Sequence, residues 1–137
     1  MLTARDIMTP DAECIGEHDS LTEAAKKLRD LGVGAMPICG EDNRLKGMLT
    51  DRDIVIGCIA EGRDPAKTTA GEFGGEKPVT IGADDSIEEA IQTMQEHQVR
   101  RLPVIDGHDL VGMVAQADLA RSIPEDKVGD LVKLISW

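Results

Sequence analysis

Two stretches of the chain carry apolar residues at the spacing of an amphipathic helix. They begin at Leu21 and Ile87, and apolar side chains stand at relative positions 0, 3, 4 and 7 in both. Ser20 and Ser86 precede the two stretches, and a glutamate follows each serine three residues later, which is the signature of a capping box. The pattern predicts two capped helices with the buried stripes Leu21, Ala24, Ala25, Leu28 and Ile87, Ala90, Ile91, Met94.

Short apolar runs that contain a proline follow each predicted helix, and a polar turn joins each run to a second one. Such pairs predict hairpins of buried strands. A shorter apolar segment before each helix predicts another strand, and a second helix is expected after each hairpin, ended by Gly62 and Pro124. The predicted strands are 13–15, 36–39, 45–49, 78–81, 102–105 and 110–114, and the second helices are 52–60 and 117–122.

The two halves of the sequence repeat the same order of elements. Residues 3–7 (Thr-Ala-Arg-Asp-Ile) recur 66 residues later as Thr-Ala-Gly-Glu-Phe, and Met-Pro-Ile at 36–38 recurs as Leu-Pro-Val at the same offset. A single β-α-β-β-α unit of this size buries its sheet poorly, so the two copies are expected to fold together. The predicted division is 1–66 for the first repeat, 67–124 for the second and 125–137 for a C-terminal tail.

Composition narrows the classes of partner. The chain of 137 residues has a net charge of −11, and Phe73 and Trp137 are its only aromatic residues. An acidic chain without stacking platforms suits neither nucleic acid nor an anionic membrane surface. No apolar stretch approaches the roughly 20 residues of a membrane-spanning helix, and the N-terminus has no signal-peptide core. We therefore expect a cytoplasmic protein that binds neither nucleic acid nor membrane.

Two glycine-led heptads in register resemble the signature of the CBS-domain family, Gly-h-h-Thr/Ser-x-x-Asp, in which h is apolar. They are Gly-Met-Leu-Thr-Asp-Arg-Asp at 47–53 and Gly-Met-Val-Ala-Gln-Ala-Asp at 112–118. Residues 4–8, the capped helices and the strands with Pro37 and Pro103 extend the resemblance over nearly the whole chain. The segments 47–56 and 96–101 are similar, more narrowly, to stand-alone CBS-pair proteins of the hypoxic response protein type, which suggests a role in a stress response.

The resemblance implies an α/β (α+β) fold of two tandem CBS repeats packed sheet to sheet with pseudo-twofold symmetry. Many family members bind adenosine nucleotides between the repeats, and many pair into homodimers. Such modules normally regulate an attached enzyme or transporter, whereas here the repeats account for most of the chain, so the regulated protein is expected to be separate. The leading hypothesis is a sensor that binds AMP, ADP, ATP or another adenosine derivative and is not an enzyme.

The resemblance also assigns the residues that would contact this ligand. In the family, the signature Asp accepts hydrogen bonds from ribose hydroxyls and the Thr/Ser hydroxyl meets a phosphate, which gives these roles to Asp53 and Thr50. Asp118 keeps the acidic position of the second signature, but Ala115 lacks the hydroxyl, so the second site is expected to be weaker or vestigial. Thr50 and Asp53 fit a ligand-free capping box equally well, and this interpretation stays open.

Three arginines are candidate ligands for the phosphate. Arg100 and Arg101 precede the strand with Pro103, and Arg52 lies inside the first signature. The chain has 26 acidic residues against 15 basic ones, so salt bridging with nearby carboxylates is the competing interpretation of all three arginines.

Other side chains give little sign of chemistry. No P-loop, HExxH or GxGxxG motif is present, and His18, His97 and His108 lack the spacing of metal ligands, so neither catalysis nor a metal site is expected. The alternative that stays open is adventitious zinc, if His18 and His97 approach each other or a cysteine after folding or dimerisation. Cys14 and Cys39 fall in predicted strands that are neighbours in the family's sheet, so they are either buried thiols or a redox-sensitive disulfide. The alternative function is therefore a ligand-free, redox-tuned interaction module with vestigial clefts.

Overall fold

The computed structural model describes residues 2–74 and 78–122. The order of elements repeats along the chain and confirms the predicted mixed α/β class with two tandem repeats. Pro124 and the predicted tail lie outside the described residues. The elements are α1 (Ala4–Ile7), β1 (Thr9–Pro10), β2 (Ile15–Gly16), α2 (Leu21–Leu31), β3 (Ala35–Cys39), β4 (Leu45–Thr50), α3 (Asp51–Ile54), a π-helical turn (Val55–Ile59), a 3-10 turn (Ala70–Phe73), β5 (Ile81–Gly82), α4 (Ile87–His97), β6 (Arg101–Asp106), β7 (Asp109–Ala115) and α5 (Gln116–Ser122).

The strands form two separate sheets. In the first, β2 runs parallel to β3 and β3 runs antiparallel to β4, while the second has the order β1-β7-β6-β5 with β5 parallel to β6. The strands expected before each helix start later than predicted and are two residues long. They end at Gly16 and Gly82, whose N–H groups donate to the carboxylates of Asp19 and Asp85 at 2.9 and 2.8 Å as the chain turns towards the helix.

The capped helices α2 and α4 form where the sequence predicts them. The hydroxyls of Ser20 and Ser86 accept the N–H groups of Glu23 and Glu89 at 3.1 and 3.2 Å. The reciprocal half of the predicted capping box, a hydrogen bond from the serine N–H to the glutamate side chain, is absent from both helices. The buried stripe of α2 is also narrower than predicted, since Ala25 faces solvent.

The second helix of the first repeat changes character along its length. Residues 51–54 are α-helical and Val55–Ile59 form a π turn, in which the Ala60 N–H donates to the Val55 carbonyl at 2.8 Å. The ring of Phe73 packs against the turn at Gly57, where a Cβ atom would lie 2.6 Å from Phe73 Cε1. Gly62 ends the segment as predicted, with a φ of 73°.

The described residues fall into two compact units that do not coincide with the sequence repeats. One unit contains 2–12 together with 79–122, and the other contains 13–74 and Pro78. Each unit therefore includes the first residues of the other repeat, which we call its leading segment: 2–12 for the first repeat, and 67–74 with Pro78 for the second. Ala4 is fully buried in the core of the first, and the equivalent Ala70 is fully buried in the core of the second. The repeat boundaries at 66/67 and 124/125 stay a prediction about sequence, while the chain passes between units at 12/13 and 78/79.

The glycines that open the two signatures lie under these leading segments. A Cβ atom on Gly47 would stand 2.6 Å from Gly74 Cα, and one on Gly112 would stand 2.7 Å from the Thr9 carbonyl oxygen. Both obstacles include backbone atoms, which cannot rotate away as a side chain can. The two signatures thus require glycine because another stretch of backbone approaches β4 and β7 closely at these positions.

Candidate functional site

The first signature ends where β4 passes into α3. The Thr50 N–H donates to Asp53 Oδ2 at 2.9 Å, and the Asp53 N–H donates to Thr50 Oγ1 at 3.0 Å. This reciprocal pair is a complete capping box, so the structural role considered from the sequence is present. No residue in the described part donates to Asp53 Oδ1 or accepts the Thr50 hydroxyl proton. The half-buried junction thus leaves one acceptor and one donor for a ligand.

The second signature is arranged differently at the junction of β7 and α5. The Ala115 N–H donates to Asp118 Oδ2 at 2.8 Å, as in the first repeat, but Arg121 donates to the remaining oxygen, Asp118 Oδ1. Asp118 is only 7% exposed, and both of its oxygens are occupied. Sequence reasoning missed Arg121, although its position three residues after Asp118 on a predicted helix is the spacing of an intrahelical ion pair.

A hydrogen bond from a backbone N–H to the carboxylate three residues later is common in this chain. It occurs at six places among 2–74 and 78–122, including Thr3 with Asp6 and Thr69 with Glu72. The Thr3 N–H lowers the pKa of Asp6, and the Thr69 N–H, with Arg63 second, lowers the pKa of Glu72. Such a bond at Asp53 is therefore no sign of a ligand by itself, and the distinguishing feature is its second oxygen.

The three candidate arginines divide between the two units. Arg52 is an exposed residue of α3, directly before Asp53. Arg101 pairs in register with Ala115, and the Gln116 N–H donates to the Arg100 carbonyl at 2.9 Å, so both lie beside the second signature. Within its own unit, the first signature therefore has only Arg52 of the three.

An open cleft of about 270 Å³ lies elsewhere on the unit that contains the first signature. None of the predicted site residues lines it. Four of its five lining side chains are acidic or histidine, and Lys46 is the single permanent cation, so it does not suit a phosphate. The Arg44 N–H, with Lys46 next, lowers the pKa of Asp42 at its rim. The lining residues are Glu17, His18, Glu41, Asp42 and Lys46.

Cys14 and Cys39 are joined by a disulfide in the structure, with 5.6 Å between their Cα atoms. That separation lies in the usual range for disulfides. The bond links the residue before β2 to the last residue of β3, which pairs with Gly16 in the parallel ladder. Lys27 of α2 donates to the Cys14 carbonyl at 3.1 Å. The third cysteine, Cys58, is a free and fully buried thiol.

Three exposed apolar side chains form a face on the helix that follows the first signature. Val55, Ile56 and Ile59 are 54%, 48% and 53% exposed, whereas Ile54 and Cys58 of the same helix are buried. The sequence carried a signal for this face, because apolar residues occupy both sides of the predicted helix over 54–59. We define Val55, Ile56 and Ile59 as the apolar face.

The histidines lie at different places on the described surface. The exposed His18 lies 3.6 Å from Glu17 in the acidic cleft, and His97 is the exposed last residue of α4. Among the described residues, no group of three or more His, Cys, Asp or Glu side chains is close enough to hold a metal ion, so we assign no metal ligands there. No helix in this part of the chain is both long and apolar enough to cross a membrane.

Comparisons with known proteins agree with one another. The CBS domain model matches residues 4–57 and 70–125. Hypoxic response protein 1 of Mycobacterium tuberculosis is 53% identical over 135 residues, which cover 98% of this chain and 94% of that protein. A crystal structure of Hypoxic Response Protein I with two coordinated zinc ions is 54% identical, with a TM-score of 0.84 over 90% of this chain and all of that one. The structure of CBSX2 in complex with AMP (22% identity, TM-score 0.77, 89% and 96% coverage) is similar in fold.

Proposed function

The chain belongs to the CBS-domain family, and from this premise we propose that it is a non-enzymatic sensor of an adenosine-containing ligand, bound at Thr50 and Asp53. The observation that carries the proposal is the state of Asp53. Its Oδ2 is fixed by the Thr50 N–H, while Oδ1 accepts no hydrogen bond within the described residues. A carboxylate held in one orientation with an unused oxygen suits a ribose diol, because it accepts hydrogen bonds and carries no competing donor.

Thr50 adds the second group that such a ligand needs. Its hydroxyl accepts the Asp53 N–H, so its own proton points away from that bond and is available to a phosphate oxygen. The neighbouring Arg52 is exposed and supplies positive charge on the same turn. Ligand binding would then shift the balance between two states of the protein by as much as its affinities for them differ. A separate regulated protein would respond to that shift.

AMP is expected to stabilise the protein through Asp53. At ten times its Kd, AMP should add about 1.4 kcal/mol to the free energy of unfolding, a shift of several degrees in Tm for a chain of this size. The Asp53→Asn variant should lose most of the shift, because the amide can still accept the Thr50 N–H but turns an NH₂ donor towards the diol. Thermal unfolding of both proteins across an AMP titration measures the difference.

Asp51→Asn is the matched control for this titration. Asp51 is an exposed carboxylate two residues away, bonded to the Arg52 N–H at 2.8 Å. The Asp51→Asn variant removes one negative charge from the same turn as Asp53→Asn does. Its Tm shift with AMP should nevertheless equal that of the parent protein. A parent protein whose Tm does not move with millimolar AMP, ADP or ATP contradicts the sensor proposal.

The apolar face supports a homodimer as the form in which the sensor works. Three aliphatic side chains that are each about half exposed on one short helix are unusual for a surface, and burying them against a second copy removes them from water. The site residues Asp53 and Arg52 lie on the preceding turn of the same helix. We therefore propose that a second copy of the chain covers Val55, Ile56 and Ile59.

Ile59→Glu is expected to convert this dimer into a monomer. A carboxylate within this apolar contact would be desolvated without a partner. Sedimentation equilibrium should give half the mass of the parent, while Leu31→Glu, which changes an apolar residue 47% exposed on α2, should leave the parent's mass unchanged. A parent that sediments as a monomer, or an Ile59→Glu protein that remains dimeric, would rule out this interface.

The second candidate function is a ligand-free interaction module tuned by thiol oxidation. Two observations favour it: the capping box already uses both Thr50 and Asp53, and Cys14 and Cys39 are bonded to each other. The disulfide also bears on location, because cytosolic thiols are reduced by default. Cytoplasmic location remains a prediction, and a protein resident there would hold this bond only under oxidising conditions. The AMP titration separates the two candidates.

A further inference from the structure

The two repeats differ three residues after the signature aspartate, at a position that lies outside the family's heptad. The second signature follows the first at an offset of 65 residues, which places Ala115 on Thr50, Asp118 on Asp53 and Arg121 on Ile56. Arg121 donates to Asp118 Oδ1, whereas Ile56 has no donor to offer Asp53 Oδ1. On the basis of the sensor proposal, we infer that the Arg121–Asp118 ion pair closes the second junction to a diol, so that each chain takes one adenosine ligand, at Asp53.

The ion pair competes with a ligand because it is intramolecular. Arg121 stands one turn after Asp118 on α5, so its guanidinium is always within reach of the carboxylate, as if at high local concentration. A diol that took its place would have to replace a charged donor with neutral hydroxyls on a carboxylate that is 7% exposed. Hydrogen bonds from charged donors are the stronger kind, so the exchange is unfavourable.

The other oxygen of Asp118 is engaged as well. Oδ2 accepts the Ala115 N–H at 2.8 Å, and Ala115 has no hydroxyl to hold a phosphate. Each oxygen of the buried Asp118 carboxylate therefore already accepts a hydrogen bond from its own chain. In the first junction, Asp53 Oδ2 accepts one bond and Oδ1 accepts none within the described residues. Arg121 is a residue that determines how many ligands bind and where, and it takes no part in binding them.

Grafting the first junction onto the second tests the inference. Isothermal titration calorimetry with AMP is run on three proteins: the parent, Ala115→Thr, and Ala115→Thr/Arg121→Ile. The single variant restores the hydroxyl and keeps the ion pair, so it should bind one AMP per chain like the parent. The double variant reproduces Thr50 and Ile56 in the second repeat and should bind one more. A double variant that binds no more AMP than Ala115→Thr overturns the inference, whatever the parent binds.

The reciprocal variant guards against misfolding of the double variant. Ile56 is 48% exposed, so Ile56→Arg should fold and should close the first junction by pairing with Asp53. Ile56 also belongs to the apolar face, so Ile56→Gln is the matched control: both variants remove the same side chain from that face, and only Ile56→Arg offers a charged donor to Asp53. Ile56→Arg should therefore bind AMP about tenfold more weakly than Ile56→Gln. An Ile56→Arg protein that binds AMP as tightly as Ile56→Gln overturns the inference.

Failure of the inference and failure of the sensor proposal give different results in this experiment. If the parent binds no AMP and the double variant binds one, the sensor proposal is wrong and Arg121 closes the second junction. If the parent and the double variant both bind one, the sensor proposal stands and Arg121 does not control access. A parent that binds two AMP molecules excludes closure of the second junction directly.

Discussion

Reduction of the Cys14–Cys39 disulfide should lower the free energy of unfolding by about 3 kcal/mol. The bond closes a loop with a sequence separation of 25 residues, and that loop contains all of α2. Cross-linking its ends removes many conformations from the unfolded chain and few from the folded one. Urea unfolding followed by far-UV circular dichroism, with and without dithiothreitol, gives the two free energies.

The Cys14→Ser/Cys39→Ser protein is the control for this comparison. It should unfold like the reduced parent and should not respond to dithiothreitol, since the remaining Cys58 has no partner cysteine and is fully buried. Identical unfolding midpoints for oxidised and reduced parent would contradict the prediction. A large difference would mean that the redox state of the surroundings sets the stability of this unit, which the redox-tuned candidate function requires.

Gly47→Ala is expected to cost about 3 kcal/mol of stability, at the upper end of the usual range for an overpacked site. The added Cβ would stand 2.6 Å from Gly74 Cα, and the next nearest atoms are also backbone atoms of Gly74. Relief therefore requires one of two chain segments to move. Chemical denaturation of the variant should show a lower midpoint with a similar dependence on denaturant concentration.

Gly34→Ala separates this contact from the general effect of replacing glycine. Gly34 does not have a positive φ, and the nearest atom to a Cβ built there is Asp51 Oδ2, a side-chain atom 3.3 Å away that can rotate. Its stability should stay close to that of the parent. If Gly47→Ala is no more destabilising than Gly34→Ala, the leading segment does not approach β4 as closely as described.

Local features of the fold were predictable because short-range chemistry determines them. Ser20 and Ser86 mark the starts of α2 and α4. Gly32 ends α2 with a φ of 66°, which a glycine adopts without strain. The hairpins follow from prolines and polar turns in register. Ala25 was misassigned because a helical stripe read from spacing is wider than the strip that contacts the sheet.

Features that depend on distant parts of the chain were not predictable. The exchange of leading segments pairs residue 9 with residue 113, and no local pattern encodes that partner. The Phe73 ring packs against the π turn at Gly57, sixteen residues earlier, and no local pattern indicates that contact. At the candidate site, the signatures located Thr50, Asp53 and Asp118, but which oxygen of each carboxylate is occupied follows only from side-chain geometry.

The exchanged leading segments also constrain how such a chain could have arisen. A single repeat contains a leading segment that completes a core other than its own, as Ala4 and Ala70 do here. An ancestral protein with one repeat could thus have completed its fold only as a dimer, in which each copy packs its first residues into the core of the other. Duplication of its gene would then have joined two mutually dependent subunits into one polypeptide. After that, each half was free to diverge, with an open carboxylate in one and an arginine in the other.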